Sequence, residues 1–187
     1  MRDILYTGDL KTTTITKARD WLREHAKTGC RCPCCKQYVK IYKRPLGAPM
    51  ARWLIWLVRT WDHKFGKTRL LRTLDNEAWI DIRLSPVRGG DYAKLLHWAL
   101  VEHKLDVLEK KKKNGAKDTR DSGLWRPTFA GIDFVAGRQQ VPSHVYLYDN
   151  IKIGEEKMLI SIQEALGKKH SYEELMSTPI HVEVPGL

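Results

Sequence analysis

The sequence has no apolar run long enough to cross a lipid bilayer. Its longest one, residues 51–61, carries Arg52 and Arg59 and falls short of the roughly 20 residues that a membrane helix needs. Residues 1–10 are mixed and polar, without the apolar stretch of a secretory signal peptide. We therefore expect a cytoplasmic protein, in which cysteines stay reduced.

The motifs of common enzyme classes are missing as well. The sequence contains no Walker loop, no Gly-x-Ser-x-Gly elbow and no dinucleotide-binding fingerprint, and residues 97–103 do not form the His-Glu-x-x-His motif of zinc proteases. Asp75, Glu77 and Asp81 have the chemistry to hold Mg²⁺ in a nuclease, but acidic residues in a polar connector are usually only solvated. We expect a protein that is not an enzyme, and a metal-dependent nuclease is the weaker alternative.

Acidic residues are scarce relative to basic ones. The chain has 33 lysines and arginines against 22 aspartates and glutamates, which gives a formal net charge of +11. This excess favours a polyanionic partner, DNA or RNA before an anionic membrane, although basic charge also serves solubility alone. Aromatic residues are interleaved with the cations, which suits binding to a phosphate backbone. The densest stretch has one acid, Asp62, among the cations Lys36, Lys40, Lys43, Arg44, Arg52, Arg59, Lys64, Lys67, Arg69 and Arg72.

All four cysteines of the chain lie within residues 30–35. Cys32 and Cys35 have the C-x-x-C spacing that delivers two thiolates to one tetrahedral zinc ion. Adjacent residues seldom reach the same metal, so we expect Cys34 to point away. The segment predicts a structural zinc knuckle, with free thiols or a redox pair as alternatives.

The remaining zinc ligands are less clearly marked. Cys30 is close enough in sequence to be the third, and His25, one helical turn before the cysteines, is the candidate for the fourth. A second subunit is a further source of ligands, as are three other histidines: His63, His97 and His103.

Apolar periodicity and capping residues predict three helices in the first half of the chain. They cover residues 14–28 before Gly29, residues 49–66 with Gly66 at the end, and a third helix that begins at Asp91. The third presents Tyr92, Leu95, Leu96 and Ala99 inward and Asp91, Lys94, His97 or Trp98 outward; it either ends near Trp98 before a strand or continues towards Leu108.

Strands and turns alternate with these helices. Residues 37–44 predict a strand, residues 110–123 a polar loop, and residues 124–138 a strand followed by a helix with Phe129 facing inward. Residues 141–154 predict a hairpin with its turn at 149–150, and two capping patterns after it predict two short helices. We expect residues 1–48 to pack on a main domain, 49–140, which is followed by the hairpin and short helices of 141–187.

The order of these elements is that of a winged helix-turn-helix. The segment around the polar loop resembles winged-helix regulators of the MarR and PadR type, through Gly123, Trp125, Thr128, Gly131 and Phe134. The resemblance implies that the third helix enters the major groove of DNA. It also implies that the loop, or wing, lies against the sugar–phosphate backbone.

Taken as a whole, the chain also resembles small basic proteins encoded by phages and prophages. The resemblance is carried by residues 32–35, 42–44, 50–54, 89–98, 141–148 and 161–175. It implies a phage-like setting in the cytoplasm of a host cell and carries no settled activity.

Together these features predict an α+β protein: a winged helix-turn-helix-like domain with an N-terminal zinc knuckle and a C-terminal hairpin plus short helices. We expect it to bind double-stranded DNA, in transcription regulation or in replication and recombination. The alternative is a module that binds and modulates a host protein machine, such as a polymerase or a defence complex. The expected zinc ligands are Cys30, Cys32, Cys35 and His25, and the expected nucleic-acid contacts are Lys40, Lys43, Arg44, Arg88, Lys94, Lys110, Lys111, Lys112, Lys113, Arg120 and Arg126.

Overall fold

A computed structural model of the chain describes residues 4, 6–8, 14–66, 78–87, 91–105 and 123–179. These residues form a mixed α+β fold with small sheets and several helices, which confirms the predicted class. The chain divides into two compact units, one made of Met1–Pro45 with His144–Glu156 and the other of Leu46–Ser143 with Lys157–Leu187. Within the described ranges, no helix is long and apolar enough to cross a membrane.

The first unit begins with a helix and a short hairpin. Helix α1, Ile15–His25, starts at Thr14, whose hydroxyl accepts a hydrogen bond from the Lys17 N–H. Strands β1, Cys30–Arg31, and β2, Tyr38–Val39, pair antiparallel after it. Ala26, Cys30 and Val39 form a small buried core.

A three-stranded antiparallel sheet completes the first unit. Its strands are β3, Tyr42–Pro45, β8, His144–Tyr148, and β9, Ile151–Glu155, in the order β3-β8-β9. Asp149 and Asn150 both have positive φ, as the tight two-residue hairpin turn between β8 and β9 requires. The predicted hairpin is confirmed. Its strand β8 also pairs with a segment about a hundred positions earlier in the chain, which the sequence did not indicate.

The second unit is built around the longest helix. Helix α2, Ala48–Phe65, has Trp53, Leu54 and Leu57 almost fully buried and ends at Gly66. It packs against a second three-stranded antiparallel sheet, made of β4, Ile80–Asp81, β5, Val101–His103, and β6, Leu124–Pro127, in the order β4-β6-β5.

Shorter elements surround this helix and sheet. Two of them, Ile82–Leu84 and Tyr92–Trp98, are 3₁₀ helices. The others are α3, Phe129–Val135; β7, Val141–Pro142, paired with β10, Leu159–Ile160; α4, Ile162–Leu166; and α5, Tyr172–Ser177. The Ser161 capping box at α4 is complete, as its sequence predicts, and Ser171 caps α5.

One open alternative about local structure is decided, and two predictions need correction. The third helix, a 3₁₀ helix, ends near Trp98 at the left-handed Ala99 and is followed by strand β5, which is the first of the two alternatives. The strand predicted for residues 37–44 is two strands, because Ile41 donates its N–H to the Ala26 carbonyl instead of to a sheet neighbour. Phe129 faces solvent, because it is the first residue of α3 and precedes the turn that packs inward.

Candidate nucleic-acid interface

Three cations of the dense basic stretch, Lys40, Lys43 and Arg44, lie on strand β3 or just before it. All four residues of β3 are exposed, and β3 is an edge strand of its sheet. The Lys40 ammonium lies 6.0 Å from the centre of the Tyr42 ring, and the Arg44 guanidinium carbon lies 5.5 Å from it. Among the residues that the structure describes, neither cation has a carboxylate partner. Lys40, Tyr42 and Arg44 therefore form a cation–aromatic group, which we name the basic strip.

Lys43 alternates with these residues and points to the other face of the sheet. Its ammonium lies 2.5 Å from the Glu156 carboxylate and 5.8 Å from the centre of the Tyr146 ring. Hydrogen bonding to Glu156 raises the pKa of Lys43, and the same contact lowers the pKa of Glu156. Lys43 is thus already paired with a carboxylate, whereas Lys40 and Arg44 have no such partner among the described residues.

The 3₁₀ helix Tyr92–Trp98 is where the sequence predicts base-reading residues. Leu95 and Trp98 are buried, and the Trp98 indole N–H donates to the Pro142 carbonyl at 2.6 Å. Trp98 is therefore part of the core and does not point outward. Lys94 is half-buried and has interactions of its own, so Asp91 and Ala93 are the exposed residues at the start of this helix.

Arg126 is placed where a phosphate cannot easily reach it. Its side chain is only 9% exposed, pairs with Glu102 at 2.7 Å, and lies 4.4 Å from the centre of the Trp79 ring. An arginine held in this way supports the sheet, because removing it would leave Glu102 without its ion-pair partner. We therefore take Arg126 out of the set of nucleic-acid contacts.

The two strands on either side of the predicted wing pair with each other. Strands β5 and β6 pair antiparallel from Val101 opposite Pro127 to His103 opposite Trp125. The predicted wing residues Lys110, Lys111, Lys112, Lys113 and Arg120, and Arg88 before the 3₁₀ helix, lie outside the described residues.

The cysteines differ sharply in their surroundings. Cys30 is fully buried, and burial raises the pKa of its thiol. Cys32 is half-buried, while Cys34 and Cys35 are exposed. The backbone N–H groups of Cys35 and Cys34, and then the thiols of the same two residues, hydrogen-bond to the Cys32 sulfur and lower its pKa.

The other predicted metal ligand lies at the end of α1. The Nδ1 atom of His25 lies 2.8 Å from the Trp21 carbonyl oxygen, and the two rings are stacked with their centres 4.4 Å apart. In the described part of the chain, no group of three or more His, Cys, Asp or Glu side chains comes together to hold a metal.

One cluster of the second unit was not anticipated. The Trp53 ring is stacked on Tyr92, and Trp125 is stacked on His103, with ring centres 4.7 Å and 4.6 Å apart. Trp53 and Trp125 meet edge to face. The Trp125 indole N–H is buried without a hydrogen-bond partner among the described residues. Because these rings come from separate segments of the chain, no local pattern marks them as neighbours.

Comparison with known proteins does not supplement these observations. No protein-family model, curated protein or solved structure matches the chain.

Proposed function

We propose that the protein binds nucleic acid, double-stranded DNA in the first place, through backbone contacts and without chemical change to its partner. The basic strip is the observation that carries this proposal. Arg44 is exposed and Lys40 is half-buried; both stand beside the Tyr42 ring and have no described carboxylate to compete with a phosphate. Each phosphate that they neutralise releases condensed counterions, which favours binding.

The second unit supports the duplex as partner. A helix, a strand, a long connection and a returning antiparallel strand follow one another from Tyr92 to Pro127, as in a winged helix. In this proposal the 3₁₀ helix faces a groove, and the four consecutive lysines of the connection contact phosphates. The setting is a bacterial cytoplasm, where a phage-encoded protein of this kind would regulate transcription or assist replication or recombination.

Salt dependence of binding tests the proposal. Replacing both Lys40 and Arg44 by Ala removes two cations that have no carboxylate partner among the described residues, so the slope of log affinity against log salt should fall by about 1.8. When salt is raised from 50 to 200 mM, the factor by which affinity falls should then be about 12 times smaller for the double variant than for the original chain. The measurement is fluorescence anisotropy with a labelled duplex, repeated with single-stranded DNA and RNA.

A matched control separates contact from net charge. Replacing Arg138 and Lys152 by Ala also removes two positive charges, but these cations are paired with Asp133 and Glu155. The control should keep the original slope. If both double variants change the slope equally, the basic strip is not a contact surface. If the chain binds single strands more tightly than duplex, its partner is single-stranded nucleic acid and not duplex DNA.

One observation favours a second function, the binding of a protein. The tip of the β8–β9 hairpin carries three exposed apolar side chains: Tyr148, Ile151 and Ile153. Tyr148 and Ile151 lie opposite one another beside the turn. A protein partner docked on this tip would bind with little salt dependence, and its binding would be weakened by replacing Ile151 with Asp. The same substitution should leave DNA binding through the basic strip largely intact.

A further inference from the structure

Two exposed tyrosines of the first unit lie on the same side of the chain. Tyr38 on β2 and Tyr42 on β3 are 44% and 45% exposed. Between them, Val39 is buried and Ile41 packs against the same small core. Because side chains alternate in an extended chain, Tyr38, Lys40 and Tyr42 point away from that core. The two rings and the cation between them therefore form one row.

The Tyr38 ring rests on the backbone of Gly29. Gly29 has a φ of 96°, which favours glycine, and a Cβ built there would lie 2.1 Å from the Tyr38 hydroxyl oxygen and 2.8 Å from its Cζ. Arg31 lies directly opposite Tyr38 in the β1–β2 hairpin, so a cation is placed beside this ring too. Tyr38 is thus supported from one side, while nearly half of it remains open to a ligand.

The Tyr42 ring lies between two cations. The Lys40 ammonium, two positions before it, is 6.0 Å from the ring centre, and the Arg44 guanidinium carbon, two positions after it, is 5.5 Å away. At about 3.3 Å per residue, Tyr38 and Tyr42 are about 13 Å apart along the chain, with Lys40 midway. From Tyr38 to Arg44, aromatic and cationic side chains therefore alternate along an extended segment.

Exposed aromatic rings beside cations fit unpaired bases better than a duplex. In a duplex, neighbouring base pairs cover the faces of each base, so a protein surface meets mainly phosphates and sugars. In a single strand, the bases can turn outward and stack on aromatic side chains, while adjacent cations contact the phosphates. Lysine and arginine alone would not distinguish the two forms of DNA, whereas the two tyrosines do.

We propose that the row from Tyr38 to Arg44 binds single-stranded DNA, with one base stacked on Tyr38, another on Tyr42, and the phosphates contacted by Lys40 and Arg44. This inference rests on the proposed binding of nucleic acid and adds unpaired bases to the ligands of the first unit. Stacking releases no counterions, so it raises affinity without changing the slope of log affinity against log salt. Each stacked base contributes a factor of about 5 to 150 in affinity.

An oligonucleotide without bases tests the proposal on the unaltered chain. Anisotropy titrations compare labelled oligothymidylate with a strand of the same length and charge whose sugars lack bases. The abasic strand should bind at least about 5-fold more weakly, with the same salt slope. Equal affinities for the two strands would overturn the stacking. A chain that binds neither strand and no duplex would overturn the proposed function itself, together with this inference.

Tyrosine variants locate the stacked bases. Tyr38→Leu and Tyr42→Leu should each weaken the binding of oligothymidylate by about 5- to 150-fold and leave duplex binding and the salt slope unchanged. Tyr42→Phe keeps the ring and should keep the affinity. Tyr148→Leu is the matched control, because it removes a ring that is 41% exposed at the hairpin tip, outside the row.

Two results with these variants would refute the stacking. One is a loss of affinity in Tyr148→Leu as large as in Tyr42→Leu. The other is unchanged affinity in all the tyrosine variants while the double variant of Lys40 and Arg44 has its reduced salt slope. In the second case the basic strip remains a contact surface for phosphates, and only the stacked bases are excluded.

Discussion

Replacing Gly131 by Ala should destabilise the second unit, because a backbone atom of another segment occupies the space that the new methyl group needs. A Cβ built on Gly131 would lie 2.0 Å from the Leu100 carbonyl oxygen and 3.0 Å from its carbonyl carbon. The obstacle is main chain in a buried position, so rotation of a side chain cannot relieve the clash. Helix α3 and the turn after the 3₁₀ helix would have to move about 1 Å apart.

The contacts around this point set the size of the effect. Thr128 donates its N–H to the Leu100 carbonyl at 3.1 Å and its hydroxyl to the Ala99 carbonyl at 2.7 Å. Separation by about 1 Å would break at least one of these hydrogen bonds, at about 1 kcal/mol each. Overpacking adds about 1–3 kcal/mol, so we expect a loss of about 3 kcal/mol in the free energy of unfolding.

Urea denaturation followed by tryptophan fluorescence measures this loss. With a dependence of about 2 kcal/mol per molar urea, the midpoint should fall by roughly 1.5 M. Gly154→Ala is the control, because its nearest neighbour would be a Tyr146 ring atom at an ordinary 3.7 Å. If Gly131→Ala unfolds within about 0.5 kcal/mol of the original chain, the close approach of α3 to Leu100 is incorrect.

Three further predictions concern charge and capping. Glu156→Gln should strengthen DNA binding, because it releases Lys43 from its carboxylate partner. The slope of log affinity against log salt should become steeper by up to about 0.9. An unchanged slope in anisotropy titrations would show that Lys43 does not reach DNA. The hydrogen bond to Arg83 is the main cause of the lowered pKa of Asp81. The ionised carboxylate therefore stabilises the folded state at any pH above its ordinary pKa of 3.8, and this stabilisation is lost as the pH falls through the lowered pKa. Asp81→Asn should therefore be less stable than the original chain at pH 7, and the difference in urea midpoint should shrink below about pH 4; a constant difference would argue against the ion pair. Ser161→Ala removes the capping box of α4 and should cost about 1 kcal/mol in unfolding free energy, while Ser177→Ala, near the end of α5, should cost less.

The helices could be predicted because their signals are local. Two helix starts are marked by hydroxyl side chains that cap them, Thr14 and Ser161. The end of α2 is marked by Gly66, which has no side chain. The Asp149–Asn150 turn is equally local, since both residues tolerate positive φ. The segment from Tyr92 to Trp98 was predicted as a helix without its type, because inward residues spaced three and four apart fit both α and 3₁₀ geometry.

Pairing between distant segments could not be predicted. Arg126 carries no sign in the sequence that its partner is Glu102 on a neighbouring strand, so it looked like any other cation in a basic chain. Lys43 and Lys40 also look alike in sequence, and only the position of Glu156 beyond the hairpin pairs Lys43 with a carboxylate and leaves Lys40 without one among the described residues. The candidate site therefore depends on long-range neighbours more than the fold class does.

The hairpin of residues 144–156 is an insertion in the second unit, which has consequences for dissecting the protein. The chain passes between the units three times, so no single cut releases either one intact. The two ends of the insertion nevertheless meet, since the Ser143 N–H donates to the Met158 carbonyl at 2.8 Å and β7 pairs with β10 beside them. A short turn in place of the hairpin would close the second unit as one continuous chain, and the first unit could be rejoined by a linker from Pro45 to His144, which already pair across β3 and β8.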